Sequence, residues 1–167
     1  MADLDEELMR NNHAAFGWAL ACCRGDRGAA EDVLQSAYLK VLDGRAKYAG
    51  QSEFRGFLFG VIRRTASEER RRRAVRAVLT LAAFRGAETS VDAMGANGIV
   101  RDEESRSLLA ALDRLPTRQR EVLHLVFYQD LSIAAASEVL GISIGSARVH
   151  YERGKARLRR LLGAEMK

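Results

Sequence analysis

With 167 residues the chain is large enough for one ordinary domain or two small ones, and a single proline, Pro116, against abundant Ala, Leu, Arg and Glu points to an all-α protein. Lys and Arg total 27 against 22 for Asp and Glu, a net charge of +5 that matters because the basic residues are clustered. The adjacent pair Cys22–Cys23 has neither metal-ligand spacing nor a disulfide framework, and no apolar run approaches the ~20 residues that span a bilayer. No cofactor or metal is expected, membrane insertion is excluded, and a cytoplasmic protein with reduced thiols is the expectation.

A first amphipathic helix carries Leu8, Ala15, Phe16, Ala19, Leu20 and Cys23 before Gly25 and Asp26 interrupt it. Ala29 to Leu42 forms a second, with a wide apolar face of Val33, Leu34, Ala37, Tyr38, Val41 and Leu42, ended by Gly44. After a polar loop containing Lys47, Tyr48 and Gly50, Ser52 is a candidate N-cap for a third helix bearing Phe54, Phe57, Leu58, Val61 and Ile62. That helix runs into the cluster Arg63, Arg64, Arg70 to Arg73 and Arg76, and Val75, Val78, Leu79 and Phe84 extend it. Residues 86–102 hold three glycines and no periodicity, the composition of a flexible linker between domains at 1–85 and 103–167.

The second domain opens with a helix from Glu103 to Leu115, stopped by Pro116, and a helix from Thr117 to Tyr128 follows. A short helix from Ser132 to Gly141 and a longer basic one from Ser143 to Leu162 give a helix-turn-helix pattern. In the last helix Ala147, Tyr151, Gly154, Leu158 and Leu161 alternate by four and three, so they define the inward stripe. Arg148 and Arg153 lie off it, near the end that enters the major groove, and are the candidate base readers. Lys155, Arg157, Arg159 and Arg160 lie further along, where phosphate contact fits better. Basic runs beside two separate motifs suggest two contacts with a polyanion, although a single such run is often only a solvated helix face.

The segment 115–162 resembles the C-terminal promoter-reading domain of RNA polymerase sigma factors of the extracytoplasmic-function type, with Leu115, Pro116, Arg120, Asp130, Leu131, Ser132, Gly141, Ser143 and Gly145 at matching places. Residues 30–42, AEDVLQSAYLKVL, resemble that family's polymerase-binding helix, and residues 53–73 resemble the helix that recognises and opens the −10 element. The resemblance implies a transcription initiation factor that does no chemistry of its own. It implies contact of Asp32 and Gln35, flanked by Tyr38 and Lys40, with the β′ clamp helices of core RNA polymerase. By the same resemblance Tyr48, Arg63, Arg64, Glu68 and Arg71 engage melted −10 DNA. Ser143, Ser146, Arg148, Val149, Glu152, Arg153, Lys155 and Arg157 meet double-stranded −35 DNA, while their domain also touches the β flap. An anti-sigma factor that buries the polymerase-binding surfaces is a further implied partner, and the linker 86–102 is implied to thread near the polymerase active site. Phe57, Arg64 and Glu68 stand where the family usually has Trp, Asn and Asp.

Two other readings remain open at this level. A stand-alone helix-turn-helix regulator would explain the C-terminal half, and a sigma mimic would keep the fold only to sequester an anti-sigma protein. An enzyme is disfavoured because no nucleophile motif, phosphate loop or paired-carboxylate constellation is visible.

Overall fold

A computed structural model describes residues 2–83 and 103–165, and every described element is a helix or a turn. The expected linker at 86–102, and Phe84 with it, lies outside the described residues. Helix α1 spans Ala2–Cys22, α2 Arg27–Leu42 and α3 Phe54–Ala83. The α1–α2 turn is closed by Gly25, at φ 81°, whose N–H reaches the Leu20 carbonyl at 2.9 Å. Asp26 then caps α2, its carboxylate accepting the Ala29 N–H at 2.9 Å, so one of the free donors at the helix start is satisfied.

These three helices pack on one another around Leu8, Ala15, Ala30, Val33, Ala37, Val41, Leu58 and Ile62. The expected stripes are correct in register with two exceptions. Leu42 is half exposed, and Cys22 rather than Cys23 is the buried cysteine. Burial, reinforced by the nearby Glu121 carboxylate, pushes the Cys22 thiol well above its ordinary value and keeps it protonated. Beyond Glu69, α3 stands free of the body, and its residues 70–83 are all exposed.

The second unit holds α4 (Glu103–Asp113), α5 (Thr117–Phe127), α6 (Ile133–Leu140) and α7 (Ile144–Glu165). Helix α4 ends two residues earlier than the sequence suggests. Leu115 sits in the following turn, and Pro116, at ψ 143°, is the residue that precedes α5 rather than the end of α4. Ser132 caps α6 by accepting the Ala135 N–H at 3.0 Å, and Gly141 at φ 62° makes the left-handed turn of the helix-turn-helix. Ser143 caps α7, its hydroxyl oxygen accepting the Ser146 N–H at 3.1 Å.

Ala147 and Gly154 are buried on the inner stripe of α7, with Tyr151, Leu158 and Leu161 half-buried beside them. A Cβ on Gly154 would lie 3.1 Å from Leu123 Cδ1 and 3.3 Å from Gln119 Cβ, so glycine is what lets α7 close on α5. Gly154→Val is therefore expected to destabilise the protein by on the order of 2 kcal/mol, through overpacking and the poorer helix propensity of valine. Thermal unfolding checks this, and a melting temperature equal to that of the parent would show that the α5–α7 seam can relax.

The two units do not hang apart. Helix α3 packs on α6 and α1 on α5, and one apolar core runs through both units. Trp18, fully buried, is central to that junction. Its ring lies 6.1 Å from that of Phe59 and 5.4 Å from that of His124, and its indole N–H donates to the Phe59 carbonyl at 3.0 Å.

Candidate nucleic-acid and polymerase interfaces

On α7 the buried stripe turns the opposite face to solvent, where Arg148, Val149, Glu152, Arg153 and Arg157 are all exposed. They spread over the half of the helix opposite that stripe, with Glu152 neighbouring Arg148 and Val149, and Arg153 neighbouring Val149 and Arg157. Ser143 and Ser146 stand exposed at its start, their hydroxyls 2.9 Å apart. Lys155 lies on the flank of this face. Its ammonium is 3.0 Å from Glu152 and 4.3 Å from the centroid of the Tyr151 ring, which holds the charge beside the stripe rather than over its centre. A regular helix that presents two free guanidiniums beside an apolar Val suits the edges of base pairs in a major groove.

The first unit carries a second basic surface. Between the end of α2, the loop 43–53 and α3 lies a cleft of about 500 Å³ lined by Arg45, Lys47, Phe57, Arg64, Glu68 and Arg72 among others. Tyr48 follows the lining residue Lys47 in the loop and is 41% exposed. Its hydroxyl donates to the Ser52 carbonyl, and its ring meets those of Phe54 at 5.4 Å and Phe57 at 5.3 Å. Phe54 is buried, as its place on the apolar stripe required, whereas Phe57 is only half-buried and borders the cleft. Glu68 is held by Lys40 at 2.6 Å, and that hydrogen bond keeps its carboxyl below the ordinary carboxylate value. Arg64 and Arg71 are exposed. Arg63 is not: it points to the other unit, where its guanidinium meets Glu121 at 3.1 Å.

On α2, Asp32 and Gln35 are exposed on one face, continued one and two turns later by Leu39 and Leu42, 58% and 50% exposed. Tyr38 and Lys40 lie off that face. The Tyr38 hydroxyl donates to Asn12 at 2.9 Å, burial pushing its pKa up to about 12, and Lys40 reaches Thr65 and Glu68 across the α2–α3 seam. The structure thus joins Lys40 to the basic cleft rather than to Asp32 and Gln35. Leu39 was the residue that sequence reasoning passed over. Its signal was available, since it is an apolar residue standing off the Val33–Ala37–Val41 stripe.

Among the described residues no group of three or more His, Cys, Asp or Glu could hold a metal ion, and no helix is long and apolar enough to cross a membrane.

Comparison with known proteins identifies the family of both halves of the chain. Residues 8–76 match the family described as Sigma-70 region 2, and residues 105–158 the one described as Sigma-70, region 4. The chain is 32% identical over 162 residues to the RNA polymerase sigma factor CarQ of Myxococcus xanthus, covering 96% of this chain and 90% of the relative. It is 30% identical over 144 residues to the ECF RNA polymerase sigma factor EcfG of Rhodopseudomonas palustris, covering 84% and 77% respectively. In overall fold it is similar to the sigma factor RpoE solved in complex with the anti-sigma factor NepR from Bartonella quintana. That match has a TM-score of 0.75, with 98% of each chain covered and 21% identity.

Proposed function

Because the chain belongs to the extracytoplasmic-function RNA polymerase sigma factors, which direct promoter-specific transcription, we propose a division of labour among its surfaces. The exposed α7 face, with Arg148, Val149, Glu152 and Arg153 turned outward behind the buried Ala147 and Gly154, is the observation that carries the reading. It enters the major groove of the −35 element, with Ser143 and Ser146 at the leading end of the helix and Lys155 and Arg157 toward the phosphates. The basic cleft holds the melted −10 strand. Tyr48 offers a base a stacking face, while Arg64 and Arg71 take the backbone and Glu68 orders the cleft through Lys40. Arg63 joins them only when freed from Glu121.

Asp32, Gln35, Leu39 and Leu42 dock on core polymerase, and Tyr38 and Lys40 hold α2 from behind. Residues 1–85 then act as the −10 domain and 103–167 as the −35 domain, joined through 86–102. The protein works in the cytoplasm as a binding factor and not as an enzyme. An anti-sigma protein that covers Leu39 and Leu42 would keep it from polymerase.

Run-off transcription with purified core polymerase, this protein and genomic fragments of its host tests the reading: discrete transcripts are expected only when the protein is present. Arg148→Ala and Arg153→Ala should each weaken promoter-dependent transcription by about tenfold or more, in line with ~1–3 kcal/mol for a bidentate base contact, with unchanged affinity for core. Asp32→Ala combined with Leu39→Ala should do the opposite, lowering core affinity and leaving binding to −35 duplex intact. Loss of core binding in the arginine variants would reverse the assignment.

A further inference from the structure

Helix α3 changes character where it leaves the body. Residues 70–83 are exposed along their whole length, about 21 Å of free helix at about 1.5 Å per residue. The first half of this arm is strongly basic, with Arg70, Arg71, Arg72, Arg73 and Arg76. Among the described residues Arg72 alone of these five has a carboxylate partner, Glu69 at 2.9 Å, while Arg70 donates to the Ser67 hydroxyl at 3.2 Å. The second half is apolar: Val75, Val78, Leu79 and Leu81 are each more than half exposed.

These side chains are ordered by the helix. Val75, Val78, Leu79 and Ala82 follow the i, i+3, i+4, i+7 spacing and so form one stripe, which Leu81 widens from three residues beyond Val78. Arg73, Arg76 and Thr80 fall on the opposite side. A single exposed aliphatic residue is ordinary on a protein surface, whereas a contiguous row beside a block of cations marks a contact.

The chemistry of the arm selects its occupant. Nucleic acid would meet the arginines and leave the aliphatic row against phosphates. A second copy of the chain fits poorly, because in a parallel pair Arg70 to Arg73 would stand against the same four arginines. The stripe also covers about one heptad, where paired helices need roughly three or four and a stable protein interface engages about 20–30 residues a side. An anionic bilayer satisfies both halves at once. Aliphatic side chains enter the boundary between headgroups and acyl chains, and arginines lay their stems along it and pair with lipid phosphates.

We propose that residues 70–83 of α3 are a membrane-docking arm that lies along an anionic bilayer surface, with Val75, Val78, Leu79 and Leu81 toward the acyl chains and the arginines among the headgroups. The arm rests on the bilayer without spanning it, since its apolar stripe is far shorter than the ~20 residues that cross. This contact is additional to promoter and polymerase binding, to which none of the four aliphatic residues is assigned.

Vesicle co-sedimentation of the full chain tests this. Wild type should partition at least about tenfold more strongly onto vesicles of phosphatidylglycerol and phosphatidylethanolamine than onto phosphatidylcholine vesicles, and added salt should weaken the binding. Val78→Gln combined with Leu79→Gln removes the centre of the stripe while keeping every charge and a good helix former at both positions. Arg73→Gln combined with Arg76→Gln removes charge and keeps the stripe. Each double variant should lose about tenfold or more of the partition onto anionic vesicles. Helix content and melting temperature should match wild type, because all four positions are exposed. Wild type that stays off anionic vesicles, or binds phosphatidylcholine equally well, overturns the proposal. So does a Val78→Gln, Leu79→Gln variant that binds as tightly as wild type, which would reduce the contact to the attraction of any basic protein for an anionic surface. Light scattering that finds wild type dimeric and the same variant monomeric would assign the stripe to a second copy of the chain instead.

Discussion

Trp18→Ala is expected to cost the protein about 3–5 kcal/mol, a large share of the stability of a domain this size. The indole is fully buried where α1, α3 and α5 meet, so truncation opens a cavity walled by Phe59 and His124 that helix packing cannot readily collapse. Its N–H bond to the Phe59 carbonyl is lost as well, at about 1 kcal/mol. Trp18→Phe separates the two contributions by keeping much of the ring volume and deleting only the donor. Chemical denaturation should rank the proteins wild type, Trp18→Phe, Trp18→Ala. A loss below about 1 kcal/mol for the alanine variant would mean that the two units share no core in solution.

Acidification should loosen the same junction. His124 is stacked on Tyr128 at 5.2 Å and pressed against Trp18, and burial lowers its pKa from 6.5 to about 4. The nearest polar partner is the Gln129 amide, 3.3 Å from the ring. Of the charged groups at the seam, Arg55 is bound to Gln129 and Glu121 to Arg63 and Arg118. The folded protein therefore holds the neutral ring. A depressed folded pKa means that the contribution is complete above about pH 6.5 and is lost progressively as pH falls toward 4, reaching about 3 kcal/mol at the lower end. Unfolding measured from pH 7.5 to 5 on wild type and His124→Gln isolates this contribution from His13, His150 and the carboxylates. The wild type should lose more stability across that range, and equal losses would remove His124 from the seam.

Much of the local architecture is written in short stretches of the chain. The apolar spacing of Val33, Ala37 and Val41, the cap at Ser132 and the glycine turn at Gly141 each depend on residues within a few positions of one another, and the structure bears them out. The same holds for the exposed arginines of α7, because a helix with one buried stripe must turn the remainder outward. Helix ends were less legible, since Pro116 restricts its predecessor and so moves the end of α4 back to Asp113.

What the sequence could not reveal was the second buried face of α1 and α3. Trp18 is set beside the Leu8–Ala15–Cys22 stripe that packs the first three helices together, and its ring packs on His124 of the other unit. Periodicity records which face of a helix is apolar, but it carries no information about a partner more than fifty residues away. Arg63 is the clearest case: it reads as one more arginine of a DNA-facing cluster, and only the tertiary structure, by setting Glu121 3.1 Å from it in a largely buried seam, turns it away from solvent. The sequence alone determined which helices form and which family they serve. Tertiary packing decided which of their charges are free, because burial and ion pairing depend on how the two units meet and not on the residues adjacent in the chain.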